Sequence, residues 1–236
     1  MALSKTQIDK LGQRLRSAEP TEDDLRELDE HRRSFEPAYE QVTSAIRDQM
    51  NLQSTGRPAK STPSIIEKLR RESIRLTQMQ DIAGCRIVVS DTLDQDHVTS
   101  QLIKIFPAAS VVDRRVKPSY GYRAVHVIVT IDDRPVEVQV RTEIQHTWAQ
   151  MCEQFADQVD PSIKYGGGSE GIAIYLATSS SVAARIEVLE GELQEVSEAD
   201  RTAHNVDIHG LRNKLTAELT DMMKTLSEGN IRSERE

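Results

Sequence analysis

Residues 117–148 of this 236-residue chain read KPSYGYRAVHVIVTIDDRPVEVQVRTEIQHTW, and this stretch decides the fold. Two runs of alternating apolar residues, 124–131 and 135–140, are joined by a short polar link, DDR, at 132–134. This pattern is typical of a β-hairpin. A threonine followed three residues later by a glutamine, at 142–145, forms a capping box that starts a helix. The stretch therefore predicts strand, turn, strand and helix.

The alternation in the second strand places Glu137, Gln139 and Arg141 on one face and three valines on the other. A sheet face exposed to solvent would explain these polar side chains as well as a binding site would. The preceding YGYR segment at 120–123 brings aromatic rings, a permissive glycine and a cation to the mouth of the same hairpin. That combination favours a binding site.

A polar loop at 51–60 precedes a second candidate region. Thr62 is a plausible N-cap with Pro63 at the first helical position, so a helix is predicted to about residue 72. Ser64, Lys68 and Arg71 share one side of it by their spacing. A cationic side that begins at a helix N-terminus suits a polyphosphate, although an ordinary amphipathic helix has the same pattern.

Asp81 stands just before an apolar run, CRIVV at 85–89, which predicts a buried strand. Gly84 allows close backbone approach, so the carboxylate could be presented at the sheet edge to a divalent cation. A turn-forming aspartate is the simpler alternative.

The remaining patterns predict mostly helices. Pro37 is expected to break or kink the N-terminal helical region. A short strand is predicted at 110–113, and KYGGG at 164–168 is either the flank of a substrate site or a plain linker. Helices are predicted at 4–17, from 21 onwards, from 92 to before Pro107, and at 143–158, 171–196 and 205–226, with a frayed tail at 227–236.

Composition narrows the class of protein. A net charge of −8 and a pI near 5.4 argue against an extended surface for duplex nucleic acid. No apolar run approaches the roughly 18 residues that span a bilayer, and the N-terminus lacks a signal peptide's apolar core, so we expect a cytoplasmic protein without membrane contact. Cys85 and Cys152 lack pairing or metal-ligand spacing and are expected to be reduced and structural.

Four motifs together resemble the synthetase domain of the RelA/SpoT family, which makes the alarmone (p)ppGpp. They are GRPAKSTPSIIEKL at 56–69, DIAGCRIVV at 81–89, GYRAVH at 121–126 and VEVQVRT at 136–142, in the family's order. With the predicted elements, the resemblance implies an α/β (α+β) fold of nucleotidyltransferase type, in which helices flank a mixed five-stranded sheet.

The resemblance also implies an organisation of the chain: N-terminal helices at 1–50, a synthetase core at 51–165 and a C-terminal helical extension at 166–236. The family's long members carry a hydrolase domain with a His-Asp signature. This chain has no His-Asp dipeptide and too little length before Gly56 for that domain, so it resembles the small, synthetase-only members. Because small relatives form homo-oligomers, the last two helices are expected to mediate self-association.

By resemblance, the reaction transfers pyrophosphate from ATP to the 3′-hydroxyl of GDP or GTP with Mg²⁺ as cofactor. Asp81 and Glu137 would be the catalytic, metal-binding carboxylates, and Glu137 would also activate the hydroxyl. Tyr122 would stack on the guanine. The predicted donor site comprises Arg57 and Arg86 beside the adenine and Lys60, Ser64 and Lys68 at the phosphates. The predicted acceptor site comprises Tyr122, Lys117, Arg123, His126, Gln139 and Arg141.

The chain departs from the family pattern beside the stacking tyrosine. Many members have a lysine four residues before it and an asparagine two before it, whereas here Pro118 and Tyr120 stand there and Lys117 lies one place further out. This keeps open a toxic relative that modifies the 3′ end of tRNA. Its phosphate contacts would be the basic residues Lys60, Lys68, Arg70, Arg71, Arg114, Arg115, Lys117 and Arg123. A non-catalytic nucleotide-binding regulator is a third possibility, against which both carboxylates and Tyr122 argue.

Overall fold

The computed structural model describes residues 3–195 and 208–233. The strands are β1 (Thr55–Arg57), β2 (Ala83–Val89), β3 (Ser110–Asp113), β4 (Val125–Ile131) and β5 (Arg134–Thr142). The helices are α1 (Lys5–Ser17), α2 (Glu22–Arg33), α3 (Glu36–Met50), α4 (Thr62–Arg71), α5 (Thr92–Ile105), α6 (Glu143–Gln158), α7 (Glu170–Glu195) and α8 (Ile208–Ser233).

The strands form one mixed five-stranded sheet in the order β1-β2-β5-β4-β3, flanked by helices, which confirms the predicted α/β class. The hairpin between β4 and β5 turns through Asp132 and Asp133, whose φ values of 47° and 61° are typical of a two-residue type I′ turn. Thr142 then caps α6 as predicted: its side chain accepts a hydrogen bond from the backbone N–H of Gln145.

The short strand β1 lies where the sequence predicts a polar loop. β1 pairs antiparallel with β2, and Gly56 stands opposite Cys85. A Cβ at Gly56 would lie 2.3 Å from the carbonyl oxygen of Gly84 and 2.5 Å from the Cα of Cys85. Only glycine permits this pairing, and in the sequence the glycine indicates a loop instead. The prediction of an unbroken loop at 51–60 was therefore wrong.

The described helices that begin before residue 196 start within one residue of the predicted positions. Pro37 lies in the first turn of α3, after a break that ends α2. The N-cap of α4 is Ser61 rather than the predicted Thr62, because the Ser61 hydroxyl accepts from the N–H of Ser64. Pro63 thus occupies the second helical position, where its missing N–H has no intrahelical partner to lose.

Contacts within the chain divide the described residues into two units. Unit 1 comprises 3–87, 100–111 and 126–139; unit 2 comprises 88–99, 112–125, 140–195 and 208–233. These units differ from the three predicted segments, which remain a prediction about domain organisation.

The N-terminal helices of unit 1 pack on α4. Leu11 and Leu15 of α1 are fully buried, as are Ile65 and Leu69 of α4. The Arg16 guanidinium donates to the carbonyl oxygen of Leu69 at 2.7 Å, so a side chain of α1 satisfies a carbonyl near the end of α4. Unit 1 thereby fixes α4, which carries Lys68.

In unit 2, α6 packs against α7 and α8 around one apolar cluster. Its buried members include Trp148, Phe155, Leu176, Ile186 and Leu219. The tail expected to fray at 227–236 is helical as far as Ser233, because α8 continues without a break. Residues 196, 205–207 and 234–236, on which the helix and tail predictions also fall, lie outside the described residues.

Within residues 3–195 and 208–233, one segment meets the length and composition of a membrane span. It is the 24-residue segment Glu170–Leu193 in α7, so the expectation that no such stretch exists was wrong. Small and apolar residues alternate along it with few charges, which hides the stretch from a search for unbroken apolar runs. Leu176, Ala183 and Ile186 are buried in the cluster of unit 2. A core helix of a globular unit passes the same test.

Both cysteines are buried and free. Burial raises the pKa of Cys85 to about 12 and that of Cys152 to about 11. Because the thiolate is the reactive form, neither thiol is reactive at neutral pH. This agrees with the structural role predicted for both cysteines.

The folding stability of the protein is expected to depend on the protonation of His31. Burial, and then the charge of Arg134, lower the pKa of His31 to about 4. In the unfolded chain its pKa is about 6.5, so between pH 6.5 and 4 the unfolded state binds the proton more tightly. We expect the contribution of neutral His31 to the free energy of unfolding to be fully present above pH 6.5. About 3 kcal/mol of it should be lost as the pH falls through 4.

Urea unfolding of the wild type and His31→Phe at several pH values tests this prediction. The phenyl ring keeps an aromatic contact with Phe35, whose ring centroid lies 5.2 Å from that of His31. The variant should lose less stability than the wild type over this range. If the free energy of unfolding changed with pH in the same way in both proteins, His31 would not be the cause of the pH dependence.

Candidate functional site

Asp81 lies between two lysines in unit 1. Its Oδ2 accepts from Lys60 Nζ and its Oδ1 from Lys68 Nζ, both at 2.8 Å. Burial opposes ionisation of Asp81, but the two ammonium groups outweigh it and lower its pKa to about 2. Asp81 is therefore a carboxylate at neutral pH, and a turn-forming role alone does not explain its partners.

The two lysines reach Asp81 from different positions on the chain. Lys60 precedes α4, and its backbone N–H donates to the carbonyl of Ile82, directly after Asp81, at 2.6 Å. The Arg32 guanidinium donates to the Lys60 carbonyl at 2.7 Å. Lys68 lies on α4 itself. Sequence reasoning missed Arg32, since a helical arginine 28 residues from Lys60 gives no signal of this contact.

Glu137, near the centre of β5, is held by two neighbours. Its Oε1 lies 3.0 Å from His126 Nδ1, and its Oε2 accepts from Gln139 Nε2 at 2.6 Å. Burial raises the pKa of Glu137, yet the contacts with His126 and Gln139 lower it below the usual value of a glutamate. Its side chain is only 14% exposed. The alternative of a solvent-exposed sheet face does not fit this carboxylate.

The two carboxylates sense each other's charge, since Asp81 opposes the lowering of the Glu137 pKa. A close approach of β2 and β5 helps to explain this. A Cβ at Gly84 would lie 2.9 Å from the carbonyl oxygen of Glu137, so a side chain there would force the strands apart. The glycine of the second motif therefore brings the backbone after Asp81 against that of Glu137.

Arg57 and Arg86 lie on one face of the paired strands β1 and β2. Arg57 is opposite Gly84, and Arg86 is two residues further along β2. Residues that face each other across a ladder project to the same side, as do residues two apart in a strand. The structure thus allows the two guanidinium groups to act on one ligand.

The predicted polar side of α4 divides into two parts. Ser64 lies in the first turn of α4, and its hydroxyl oxygen lies 2.8 Å from that of the N-cap residue Ser61. Lys68 points to Asp81, whereas Arg71 pairs with Glu67 at 2.8 Å and Glu72 at 3.1 Å. Only part of the cationic side therefore faces the carboxylates.

The residues present fit a magnesium site that a substrate completes. The described part of the chain contains no group of three or more His, Cys, Asp and Glu side chains that could enclose a metal. Mg²⁺, however, commonly binds through one or two carboxylates together with substrate phosphates and waters. Asp81 and Glu137 supply two such carboxylates, both favoured in the ionised form.

Tyr122 follows a tight turn in unit 2. Ser119 and Tyr122 exchange backbone hydrogen bonds of 2.9 and 3.2 Å across Tyr120 and Gly121, whose φ values are 53° and 89°. Glycine suits such a φ, while tyrosine adopts it at a cost. The Arg141 guanidinium lies 5.1 Å from the Tyr122 ring centroid and donates to its hydroxyl at 3.2 Å. Arg141 therefore supports the tyrosine, a contact that the sequence did not predict.

Two other residues of the predicted acceptor site differ in their surroundings. Lys117 is exposed. The Arg123 side chain is 14% exposed; its guanidinium pairs with Glu187 at 3.4 Å and donates to the Arg115 carbonyl at 2.9 Å. The Arg123 guanidinium thus has partners within unit 2, and its role in acceptor binding stays a prediction. Glu187 itself was missed, because nothing in its local pattern distinguishes it from a solvated helical glutamate.

The structure groups the predicted residues by unit. In unit 1 it brings together Lys60, Lys68, Asp81, His126, Glu137 and Gln139. In unit 2 it brings together Tyr122, Arg123 and Arg141. The roles assigned to these residues remain predictions.

Comparisons with known proteins indicate which family and fold the chain resembles. Residues 56–156 match the family model for the region found in RelA / SpoT proteins. An uncharacterized protein of Mycobacterium tuberculosis is 35% identical over 153 residues, which are 63% of this chain and 54% of the relative. A probable chloroplastic GTP diphosphokinase of Oryza sativa is 28% identical over 116 residues, 47% of this chain and 16% of that protein. The chain spans about half the length of the mycobacterial relatives.

The fold matches solved structures of small alarmone synthetase 1 from Bacillus subtilis. One is 28% identical to this chain, with a TM-score of 0.50, and the match covers 71% of this chain and 100% of the solved chain. Another, bound to AMPCPP, has a TM-score of 0.51 at 24% identity over 72% of this chain and 100% of its own. Fold and family model together define a RelA/SpoT-type synthetase domain. Residues 56–156 thus carry the region found in RelA / SpoT proteins, as the four motifs predict.

Proposed function

We propose that this protein is a (p)ppGpp synthetase that transfers the β,γ-pyrophosphate of ATP to the ribose 3′-hydroxyl of GDP or GTP. The observation that carries the proposal is the pairing of Asp81 with Lys60 and Lys68, within electrostatic reach of Glu137. Related structures bound to AMPCPP and to pppGpp support ATP as donor and a guanine nucleotide as acceptor.

In this reaction the acceptor 3′-oxygen attacks the β-phosphorus of ATP, the bond from that phosphorus to the α,β-bridging oxygen breaks, and AMP leaves. Glu137 takes the proton of the 3′-hydroxyl, and His126 and Gln139 hold its carboxylate in one orientation. Mg²⁺, held by Asp81 and Glu137 with the phosphates, would offset charge that develops on the transferred group.

Lys60 and Lys68 neutralise Asp81 in this structure and would bind the donor's phosphates. Two ammonium groups already fixed at one point need little rearrangement to meet a triphosphate. Arg57 and Arg86, on one face of β1 and β2, would hold the adenine between planar guanidinium groups. Ser64, in the first turn of α4, would add a hydroxyl to the phosphates.

Tyr122 would form the guanine platform. We expect Tyr122→Ala to raise the KM for GDP roughly tenfold or more, because stacking of a base on an aromatic ring contributes about 1–3 kcal/mol. The KM for ATP should change little. Steady-state kinetics with each substrate varied in turn measures both constants.

Tyr122→Phe is the matched control, because it keeps the ring and removes only the hydroxyl that meets Arg141. Its KM for GDP should remain closer to that of the wild type than to that of Tyr122→Ala. Equal losses in both variants would show that the hydroxyl, and not stacking, is what matters.

The structure weakens the case for tRNA as the acceptor. Four of the five arginines in the predicted basic set are paired within the protein: Arg70 with Glu19, Arg71 with Glu67 and Glu72, Arg115 with Asp113 and Asp96, and Arg123 with Glu187. A phosphate backbone would have to compete with these carboxylates.

The proposal extends to partners and location. ATP and GDP or GTP would be the substrates, without duplex nucleic acid or a membrane as a partner. A cytoplasmic location fits these nucleotides, and self-association through α7 and α8 remains a prediction. Both could be tested on the intact protein by fractionation and by light scattering.

Incubation of the protein with Mg²⁺, γ-labelled ATP and, separately, GDP, GTP or deacylated tRNA tests the proposed function. Label should appear in ppGpp and pppGpp. Label on tRNA would instead assign the protein to the toxin class. Tight nucleotide binding without turnover at any Mg²⁺ concentration would make it a binding protein.

A further inference from the structure

The proposed acceptor turn in unit 2, residues 119–123 with Tyr122 near its end, is held by a helix outside the segment that matches the family model. The Ser180 hydroxyl of α7 donates to the Gly121 carbonyl at 2.6 Å. Two turns further along α7, Glu187 lies against the Arg123 guanidinium at 3.4 Å. One helix therefore contacts the residues on both sides of Tyr122.

Glu187 also fixes the start of α6. Its Oε1 accepts from the Thr142 hydroxyl at 2.6 Å and from Gln145 Nε2 at 2.9 Å. Thr142 directly follows Arg141, whose guanidinium covers the Tyr122 ring. The Glu187 carboxylate is almost fully buried, with a side chain 2% exposed, so these contacts are made away from water.

Trp148 connects the same helix to the turn. Its indole N–H donates to the Leu176 carbonyl at 3.1 Å and to the Ser179 hydroxyl at 3.0 Å. Its ring lies so close to Gly121 that a Cβ there would be 2.8 Å from Cζ2. The turn is thus bounded by α6 and α7, and Gly121 is required by both its φ and its packing.

We infer that Glu187 is a positioning residue for the guanine acceptor: through Arg123 and Thr142 it sets the orientation in which Tyr122 and Arg141 meet the nucleotide. The inference rests on the proposed function. A buried carboxylate must be paired to offset the cost of removing its charge from water, whereas an apolar side chain would have no such cost. A positioning role explains why a glutamate stands at this helix junction. The proposed guanine platform in unit 2 thereby depends on the helical extension beyond residue 156.

Glu187→Gln tests this inference, and Glu190→Gln is the matched control. Glu190 lies one turn away on α7, is also buried, and pairs with an arginine, Arg212, at 2.7 and 2.5 Å. The turn at 119–123 has no part in that pair. General loosening of α7 would affect both variants alike.

We expect Glu187→Gln to raise the KM for GDP on the order of tenfold, because small displacements of a binding group have large kinetic effects. The KM for ATP should stay within about twofold in both variants, and Glu190→Gln should keep the KM for GDP within that range. Trp148 is the only tryptophan of the chain, so its emission reports on the turn without any turnover. It should change in ligand-free Glu187→Gln and not in Glu190→Gln.

Ser180→Ala keeps the test decisive if Glu187→Gln does not fold, since it removes only the hydrogen bond to Gly121. Its KM for GDP should rise about threefold, the equivalent of one hydrogen bond of modest strength. An unchanged KM for GDP, or equal rises in the KM for GDP and the KM for ATP, would overturn the inference, provided that the wild type makes (p)ppGpp. A wild type that makes no product from GDP or GTP would instead refute the proposed function, and the inference with it.

Discussion

Glu137→Gln is expected to lower kcat for pyrophosphate transfer by about a thousandfold or more, since a proton acceptor and a metal ligand are lost together. The amide is nearly the same size and keeps an oxygen for the contact with Gln139. The fold should therefore remain, and the loss should be in turnover. Product formation under saturating ATP and GDP, with circular dichroism of the variant, measures this directly.

Asp133→Asn is the control for Glu137→Gln. Asp133 lies at the tip of the same β4–β5 hairpin, where its side chain is 68% exposed and meets Lys5. This variant should keep the wild-type rate. A Glu137→Gln enzyme with more than a tenth of the wild-type kcat would remove Glu137 from the catalytic role.

The pH profile offers a second view of Glu137. Burial opposes its ionisation, but the contacts with His126 and Gln139 keep its pKa below the ordinary value for a glutamate. The base form therefore persists as the pH falls, so Glu137 should not itself reduce kcat/KM between pH 7 and about 5. Loss of activity in that range would belong to another group.

Asp81→Asn is expected to have a comparable effect on turnover, about a thousandfold or more, for a different reason. The variant loses a predicted magnesium ligand and leaves the ammonium groups of Lys60 and Lys68 without their carboxylate. Added Mg²⁺ should not restore the rate. Initial rates over a wide range of Mg²⁺ concentrations, with wild type and variant compared, test this.

Asp81→Asn should also lower stability, and the two effects can be separated. The folded pKa of about 2 lies below the ordinary value of 3.8 for an aspartate, so the ionised group stabilises the fold fully above pH 3.8, and this stabilisation is lost as the pH falls through 2. By this linkage the contribution at neutral pH is about 2 kcal/mol. Rates should therefore be measured well below the midpoint of thermal unfolding. A folded variant with near-normal synthesis would refute the metal assignment.

Much of the fold could be predicted because its signals are local. The alternation in β4 and β5, the turn at Asp132 and Asp133, and the capping box at Thr142 each lie within a few residues of the structure they specify. β1 could not be predicted in this way. It has three residues, and its pairing depends on Gly56 meeting Cys85 about 30 residues further along the chain.

The sequence proposes residues for the candidate site, but it does not show the contacts that these residues make. Asp81 and Glu137 were proposed from their motifs. The hydrogen bonds from two lysines to Asp81 depend on how α4 packs, and sequence spacing does not show that packing. Glu187 illustrates the limit best. It lies 64 residues from Arg123, and a buried glutamate on a helix has the same local pattern as an exposed one.

If a pyrophosphate moves intact from ATP to the acceptor, the nucleotide that leaves is AMP and not ADP. The products of a reaction with ATP, Mg²⁺ and GDP should be separated by anion-exchange chromatography and quantified. We expect AMP and ppGpp in equal amounts, with no AMP when GDP is omitted. Formation of ADP instead, or of AMP without a matching guanine product, would show that the protein does not transfer an intact pyrophosphate to GDP.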